Sequence, residues 1–223
     1  METLETMEAL LLIALFYFVK VVIVFIILIF IRPVYQNWGA SPEETSRSMP
    51  GDHLVVSPKL ISTRAIDINA PPEQVWPWII QIGYGRAGWY NYDIISRCLG
   101  MAHYIDGWRS CQRIVPELQD LQVRDRLRLS RRKGYIVADI KPHRVLVLHG
   151  KGTGNCHSWV YVCEPCEDGV HTRLIVRHRN KYSAWTDKIL FECFDIGFFF
   201  MERSHLLGLK RLAEKNTPCV AGL

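Results

Sequence analysis

The stretch IIQIGYGRAGWYNYD, from Ile79 to Asp93, decides between two folds for this chain. Its glycines, Gly83, Gly85 and Gly88, have the G-x-G-x-x-G spacing of a dinucleotide-binding turn. Such a turn follows a strand and opens a helix within a βαβ unit. Asp106 also lies about where the acid that binds a ribose would be expected.

The residues around this stretch argue against a dinucleotide fold. The preceding segment begins with Pro72 and Glu73, which suit the first turn of a helix rather than a strand. Bulky aromatic residues follow Gly88, where a dinucleotide fold needs close packing of helix on strand. The glycines therefore predict a sharp link between two helices, the second from about Tyr92 to Leu99, and NAD binding is not expected.

Period-two alternation dominates the chain after these helices. In LQVRDRLRL, Leu121–Leu129, apolar residues alternate with polar ones, which predicts a half-buried strand. Further strands are predicted at YIVADI, RVLVLHG, HSWVYVCEP and VHTRLIVRHR, separated by short turns. An earlier strand covers about Leu60–Asn69, and a long helix from about Asp187 to Glu214 closes the chain. The expected fold class is α+β, with a curved antiparallel sheet wrapped around the last helix.

An apolar segment near the N-terminus predicts a transmembrane helix. Leu10–Ile31 reads LLLIALFYFVKVVIVFIILIFI, and Lys20 is its single charge. About 20 residues of helix cross the hydrocarbon core of a bilayer, so the segment is long enough. A central lysine opposes insertion by about 2.5–3.5 kcal/mol, which the many Leu, Ile, Val and Phe residues outweigh. Lys20 either snorkels to the membrane surface or contacts a lipid headgroup or a partner helix.

A cleaved signal peptide is the alternative interpretation of this segment. It needs a basic start, a shorter apolar run and a small-residue cleavage site. Three glutamates precede the segment instead, and Arg32 follows it. We therefore expect an uncleaved, single-pass anchor, with the C-terminal domain in the cytoplasm by the positive-inside tendency. Seven cysteines, an odd number, fit a reducing compartment.

The predicted organisation has five parts. They are an N-terminal tail (1–9), the transmembrane helix (10–31), a linker (32–59), a folded domain (60–215) and a C-terminal tail (216–223). The linker assignment depends on the stretch Pro33–Pro58, where Pro, Gly and Ser interrupt any apolar period.

Several short motifs carry a resemblance to a known family. They are GASPEE and PGD (Gly39–Glu44, Pro50–Asp52), APPEQVWPW (Ala70–Trp78), GRAGWYNYD (Gly85–Asp93), RIVPELQDLQV (Arg113–Val123) and MER…LLGLKRLAE (Met201–Glu214). With the order of strand, two helices, meander and long helix, they resemble the START-like, or SRPBCC, superfamily. The closer likeness is to bacterial SRPBCC proteins of unassigned activity. The resemblance implies a helix-grip fold, as in polyketide cyclase/dehydrase-like proteins, with an apolar or lipid-like molecule held between sheet and last helix.

A pocket for such a molecule needs apolar walls and a few placed polar groups. The predicted walls are aromatic: Trp76, Trp89, Tyr90, Tyr92, Trp159 and Tyr161. The predicted polar groups are Arg86, Asp93, His157 and His178. Ordinary core packing is the alternative for the aromatic residues, and a hydrogen-bonded structural role is the alternative for each histidine.

The roles of the polar candidates stay open at this point. Arg86 and Asp93 are expected to form a pair that either binds the ligand or locks their loop, of which the structural role is favoured, and Arg113 is a second possible partner of Asp93. If the domain is a cyclase, dehydratase or hydrolase, Tyr92, Asp93 and His157 are the first candidates for proton transfer. A binding protein is favoured over an enzyme, and a non-catalytic membrane scaffold is the third hypothesis.

Two further patterns bear on partners. The run RDRLRLSRRK, Arg124–Lys133, places Arg124, Arg126 and Arg128 in alternation, which predicts either a solvated strand face or contact with anionic lipid. A net charge of only +5 does not favour nucleic acid as a partner. Cys163 and Cys166 form a single C-x-x-C without a second pair, so no metal is expected, and no cofactor either.

The last helix has an unusual apolar distribution. A stripe is predicted along Leu190, Phe194, Gly197, Phe198 and Met201, and onward through His205, Gly208 and Leu212. Its first half is apolar nearly all round, so either it contacts the membrane, with Phe200 as a contact residue, or the linker or the loop around Trp89 covers it. The oligomeric state and the identity of the ligand are left open by the sequence.

Overall fold

A computed structural model describes residues 2–151, 155–167 and 169–215 of the chain. The chain divides into two units after Tyr35. The first unit consists of helix α1, which runs from Glu2 to Gln36. Within α1, the 19 residues of Leu10–Leu28 have a mean hydropathy of 3.1 and are long and apolar enough to cross a membrane. Lys20 Nζ lies 4.2 Å from the centre of the Phe16 ring of the same helix.

The second unit is an α+β domain built on one antiparallel sheet. Its elements in chain order are α2 (Pro42–Ser46), β1 (Leu60–Ile68), α3 (Pro72–Ile80), α4 (Asp93–Cys98), β2 (Arg126–Arg128), β3 (Gly134–Lys141), β4 (Val145–Lys151), β5 (Cys156–Pro165), β6 (Thr172–Lys181) and α5 (Trp185–Lys215). Across the described residues the strand order is β1-β6-β5-β4-β3-β2. This six-stranded sheet with a long C-terminal helix confirms the predicted fold class. The predicted tail 216–223 lies outside the described residues.

The inner face of the sheet carries the main core. Helix α3 buries Trp78 and Ile79 there, and α5 buries Leu206, Leu209 and Ala213. These three α5 residues are three and four positions apart, so they form one stripe along the helix. As predicted, the second half of α5 is amphipathic, because its intervening positions are charged.

The outer face of the sheet is covered by residues 39–56, which we call the outer strap. Helix α2 begins with a capping box: Ser41 Oγ accepts the N–H of Glu44, and the Glu44 carboxylate accepts the N–H of Ser41. Met49, in the same segment, is buried against apolar residues of the outer face such as Val147 and Ile175. The stretch predicted as a linker thus contains ordered structure that belongs to the domain unit.

The predicted strand Leu121–Leu129 was wrong for its first half. Strand β2 covers only Arg126–Arg128. Arg124 has a φ of +78°, and the Asp125 carboxylate accepts the N–H of Gln122 at 2.8 Å, so the chain turns there. Arg124 therefore does not share a strand face with Arg126 and Arg128, although all three side chains are exposed.

The predicted apolar stripe was also wrong for the first half of α5. Phe194 and Phe198 are exposed, and the side chain of Leu190 lies outside the part that the structure describes. Asp195 is buried instead, and its carboxylate accepts a hydrogen bond from Gln36 Nε2 at 2.7 Å. Asp195 directly follows Phe194, so the two side chains leave the helix in different directions. The side of α5 that is buried is therefore rotated about the helix axis from the predicted side.

Candidate functional site

The link between α3 and α4 brings aromatic residues under α5. The N–H of Gly83 donates to the carbonyl of Gly88 at 3.1 Å, which closes the link. Gly88 has a φ of +102°, and a Cβ there would lie 2.5 Å from Ser110 Oγ, so glycine is required for a tight approach. The glycines form a turn between two helices, as predicted, while the absence of NAD binding stays a prediction.

Arg86 holds this link in place through backbone carbonyls. Its Nε donates to the carbonyl of Ile82 at 3.0 Å, and its Nη2 donates to those of Ile80 and Leu118 at 2.8 and 3.2 Å. Asp93, by contrast, accepts the N–H and the hydroxyl of Ser110 at 3.2 and 2.7 Å. The expected ion pair of Arg86 with Asp93 was therefore wrong.

Helix α5 is fastened directly to this link. The carbonyl of Trp89 lies 2.5 Å from His205 Nδ1, and the indole Nε1 of Trp89 donates to the carbonyl of Met101 at 3.0 Å. A Cβ at Gly208 would lie 2.0 Å from the carbonyl oxygen of Tyr90. The backbone of α5 therefore comes into contact with the link at a position where only glycine fits.

Trp159, on β5, is the centre of what we call the aromatic cluster. As predicted, His157, Trp159 and Tyr161 lie on one face of that strand, because side chains alternate along it. The other rings of the cluster surround Trp159 at centroid distances of 4.9 Å (His178), 5.2 Å (Tyr161), 5.8 Å (Trp89), 5.8 Å (Tyr135) and 6.0 Å (His205). The rings lie between the inner face and α5, and all of these side chains are buried except those of His157 and His178, which are half-buried.

Three charged or titratable side chains adjoin the aromatic cluster, and we call them the charged triad. Arg64 of β1 and Glu202 of α5 form a buried ion pair, and His178 Nε2 lies 2.5 Å from the other carboxylate oxygen of Glu202. Burial by itself would raise the pKa of Glu202, but the neighbouring His178 and Arg64 outweigh it and lower this pKa to about 2. Glu202 is thus held as a carboxylate inside an apolar region.

A second histidine of the interior is neutral. His205 Nδ1 donates to the carbonyl of Trp89, which leaves its Nε2 to accept the Tyr161 hydroxyl at 2.9 Å. Burial lowers the pKa of His205 to about 4. His157, whose ring lies 5.0 Å from that of Tyr135, has its pKa lowered to about 4 by burial and by the nearby His178. Both rings therefore carry no charge near neutral pH.

One polar atom of the aromatic cluster is buried without a partner. The indole Nε1 of Trp159 has no hydrogen-bond acceptor among the described residues. An unsatisfied buried donor of this kind destabilises a fold by about 1–3 kcal/mol. An acceptor from an ordered water or from a ligand would satisfy such a buried N–H.

The remaining predicted site residues lie elsewhere. Trp76 is buried beside His143, with ring centroids 6.2 Å apart. The Tyr90 hydroxyl is engaged by the Gln81 side chain at 2.5 Å, and Tyr92 is exposed. Asp93 bonds to Ser110, and His157 packs on Tyr135. These two residues, which were first considered for proton transfer, therefore have different partners.

Other predicted contacts are resolved in the same way. Arg113 pairs with Asp106 at 3.1 Å rather than with Asp93, so its expected role as a second partner was wrong. Cys163 is buried, and burial raises the pKa of its thiol to about 12. Cys166 lies in the turn after β5, where its N–H bonds the carbonyl of His171.

Of the charged triad, His178 was among the predicted polar groups, whereas Arg64 and Glu202 were missed, although the sequence holds a signal for both. Arg64 stands two positions before Ile66, so it falls on the inward face of β1 together with Ile66 and Ile68. Glu202 lies three residues before His205 and is therefore on the same side of α5. On β1 and on α5 alike, one charged residue stands at a position that belongs to the apolar face. Together these two positions would have predicted the buried ion pair.

Neither a protein-family model nor a curated protein sequence matches this chain. Solved structures give matches at low sequence identity. CalU16 from Micromonospora echinospora is 14% identical with a TM-score of 0.40, over 71% of this chain and 68% of that chain. DynU16, from the dynemicin biosynthetic locus, is 12% identical with a TM-score of 0.40, over 72% and 49% respectively. A conserved protein from Geobacillus kaustophilus is 16% identical with a TM-score of 0.40, over 70% and 96%. At this level of sequence identity the similarity concerns the fold alone and carries no information on ligand or activity.

Proposed function

We propose that this chain is a membrane-anchored START-like domain that binds a hydrophobic or lipid-like small molecule between the sheet and α5. The observation that carries the proposal is the buried, unpartnered indole N–H of Trp159 beside the charged triad. Stability alone does not account for this arrangement, because apolar residues in place of a buried ion pair are often neutral or stabilising.

The surroundings of Trp159 favour an uncharged ligand with one hydrogen-bond acceptor. Arg64 and Glu202 already neutralise each other, and both nitrogens of His205 are engaged. An additional buried carboxylate near Glu202 would meet like charge. A carbonyl or hydroxyl oxygen could accept from Trp159 Nε1 while an apolar chain displaces the neighbouring rings.

The packing of the aromatic cluster requires that the ligand enters by displacement of side chains. The first half of α5 supports such a route, because Phe194 and Phe198 are exposed there. In this proposal Phe200, which is 53% exposed, rests on the bilayer, and Arg124, Arg126 and Arg128 attract anionic lipid. Lys20 belongs to the membrane anchor, and the domain lies on the cytoplasmic side.

Native mass spectrometry of the full-length protein, released from nanodiscs, tests the binding proposal. We expect a copurified apolar molecule on the wild-type protein and at least a fivefold lower occupancy on Trp159→Phe, which lacks the N–H. Trp76→Phe is the matched control, since it makes the same change in a tryptophan that packs against His143. Equal occupancy in both variants would contradict the assignment of Trp159, and an empty wild-type protein would contradict ligand binding itself.

A non-catalytic membrane scaffold is the second candidate. The filled space around Trp159 favours it, since the rings pack at van der Waals distances as in an ordinary core. An empty wild-type protein whose Trp159→Phe variant is no less stable than its Trp76→Phe variant would support the scaffold.

The proposed orientation has its own test. Lys141 is exposed at the end of β3, so a membrane-impermeant maleimide that reacts with a Lys141→Cys variant in a Cys98→Ser background reports which side of the membrane the domain occupies. In intact cells we expect no labelling beyond that of the Cys98→Ser protein, and clear labelling once the membrane is permeabilised. Labelling of the Lys141→Cys variant in intact cells would place the domain outside.

A further inference from the structure

A second exposed apolar surface lies around α4 and the loop that follows it. We call it the α4 surface and define it by Tyr92, Ile94, Ile95, Leu99, Ile105 and Trp108. Ile94 is 80% exposed and Trp108 is 76% exposed, although they are among the most apolar side chains of the domain. Contiguous apolar residues on a surface mark a contact with a partner or a membrane more often than isolated ones do.

The α4 surface is held rigidly by polar contacts beneath it. The Arg97 guanidinium lies 4.0 Å from the centre of the Trp108 ring, and its Nη2 donates to the carbonyl of Trp108 at 2.8 Å. At the start of α4, the Asp93 carboxylate binds both the N–H and the hydroxyl of Ser110. Trp108 is therefore presented to the outside by a fixed loop, so its exposure does not result from a loose end of chain.

The charges around this surface are unbalanced. Asp106 is neutralised by Arg113 at 3.1 Å. Asp93 keeps its negative charge, because the N–H and hydroxyl of Ser110 that it accepts are neutral. Arg97 and Arg109 stand against this one remaining carboxylate, so the segment has a small excess of positive charge. The surface therefore combines a tryptophan, isoleucines, a leucine and a net positive charge.

We propose that the α4 surface inserts into the headgroup region of an anionic bilayer. Tryptophan is enriched at membrane interfaces because one part of its ring system is apolar and the other donates a hydrogen bond. Arginine beside it keeps its charged end at the headgroups while its carbon chain lies along apolar surface. The same chain carries a helix long and apolar enough to span a membrane, so a bilayer is present at high local concentration. This surface is distinct from the residues proposed to bind the small molecule.

Brominated lipids test the insertion of Trp108 in the full-length protein. Helix α1 contains no tryptophan, so it adds no signal of its own. The difference in emission between the wild-type protein and Trp108→Phe, both in nanodiscs of neutral and anionic lipid, isolates Trp108. We expect brominated acyl chains to quench this difference emission by more than half. Quenching no greater than that of a water-exposed tryptophan would overturn the proposal.

Charge variants separate a bilayer from other occupants. Arg109→Glu should reduce the quenching at least twofold, and Lys141→Glu, an exposed cation at the end of β3, should leave it unchanged. Arg97, not Arg109, contacts the ring and the carbonyl of Trp108, so the replacement of Arg109 leaves these contacts in place. Quenching that appears only in nanodiscs with two copies of the chain would assign the surface to self-association and would also overturn the proposal.

Discussion

Arginine side chains are buried on both faces of the sheet, but they have different partners. On the outer face, Arg177 uses all its N–H groups: Nε donates to Thr63 Oγ1, and the two terminal nitrogens donate to Asp52 and to the carbonyls of residues 44, 45 and 47. On the inner face, Arg64 pairs with Glu202, a side chain on another element. The outer arginine thus binds the backbone of the strap, whereas the inner arginine belongs to a group of side chains.

This difference indicates what each buried charge does. Arg177 and Arg173, which binds Glu44 and the carbonyl of Gly39, fix the outer strap to β6 across more than 100 positions of sequence. Such bonds hold a segment in one place. In the charged triad, Glu202 is bound by the side chains of Arg64 and His178. The two arginines thus differ in what they join: Arg177 ties a covering segment to the sheet, and Arg64 ties the last helix to the sheet.

The largest effect is expected from Arg177→Met, which removes the centre of the outer clamp. Asp52 and three carbonyls of the strap would lose their donor, and breaking a buried pair lowers the free energy of unfolding by about 3–5 kcal/mol. Thermal unfolding of the full-length protein in detergent measures this loss. Arg126→Met is the control, because Arg126 is exposed and its replacement should change stability by less than about 0.5 kcal/mol. Equal shifts in the two variants would show that the strap contributes nothing.

The pH dependence of unfolding sharpens the contrast from the inner side. The folded state lowers the pKa of Glu202 from its ordinary 4.5 to about 2, which corresponds to on the order of 3 kcal/mol. A depressed carboxyl pKa stabilises the fold above pH 4.5, and this stabilisation is lost as pH falls towards 2. We therefore expect Glu202→Gln to be less stable at neutral pH and to lose less stability than the wild type over this acid range.

The histidines of the interior add a separate pH window. Burial lowers the pKa of His205 from 6.5 to about 4, so the unfolded chain binds more protons there and stability falls as pH drops through that interval. This loss should persist in Glu202→Gln. Glu117→Gln, at an exposed position, serves as control and should follow the wild-type curve throughout. If Glu202→Gln loses as much stability as the wild type when the pH falls from 4.5 towards 2, the interactions assigned to the charged triad are contradicted.

The smallest expected effect concerns the approach of α5 to the link under it. Gly208→Ala would place a methyl group 2.0 Å from the Tyr90 carbonyl oxygen, and overpacking of this kind destabilises by about 1–3 kcal/mol. Gly197→Ala on the same helix meets no atom within 4 Å and should stabilise by about 1 kcal/mol, since alanine is the better helix former. Denaturant unfolding compares the two. A stabilising Gly208→Ala would mean that α5 does not touch the link.

Local patterns predicted the strands of the meander well and the outer strap poorly. Alternation identified β3 to β6 because one face of each strand is buried, and this leaves a period of two in the sequence. The strap has no such period, because its order comes from a few buried residues such as Met49 and from ion pairs with β6, which lies far away in sequence. The turn at Arg124 was missed for a related reason. The alternation of apolar and polar residues continues in the sequence through Arg124, although the backbone turns away from the sheet there.

The sequence predicted His157, Trp159, Tyr161 and His178 of the candidate site and missed Arg64 and Glu202. His157, Trp159 and Tyr161 are on one strand, so their common face follows from period two alone. The contact of Glu202 with Arg64 and His178 joins α5 to two strands, and no local pattern encodes which turn of a helix faces which strand position. Arg86 illustrates the same limit, because its partners are carbonyls, which every residue possesses.

The sequence by itself determined the apolar N-terminal helix, the α+β class, the meander and the amphipathic end of α5, because each depends on a repeating pattern within one segment. Only the tertiary structure decided the rotation of the first half of α5, the strap on the outer face and the pairing of Arg64 with Glu202. These features depend on the free energy of contacts between distant segments. A local sequence pattern does not indicate which distant residue will pair with a buried charge.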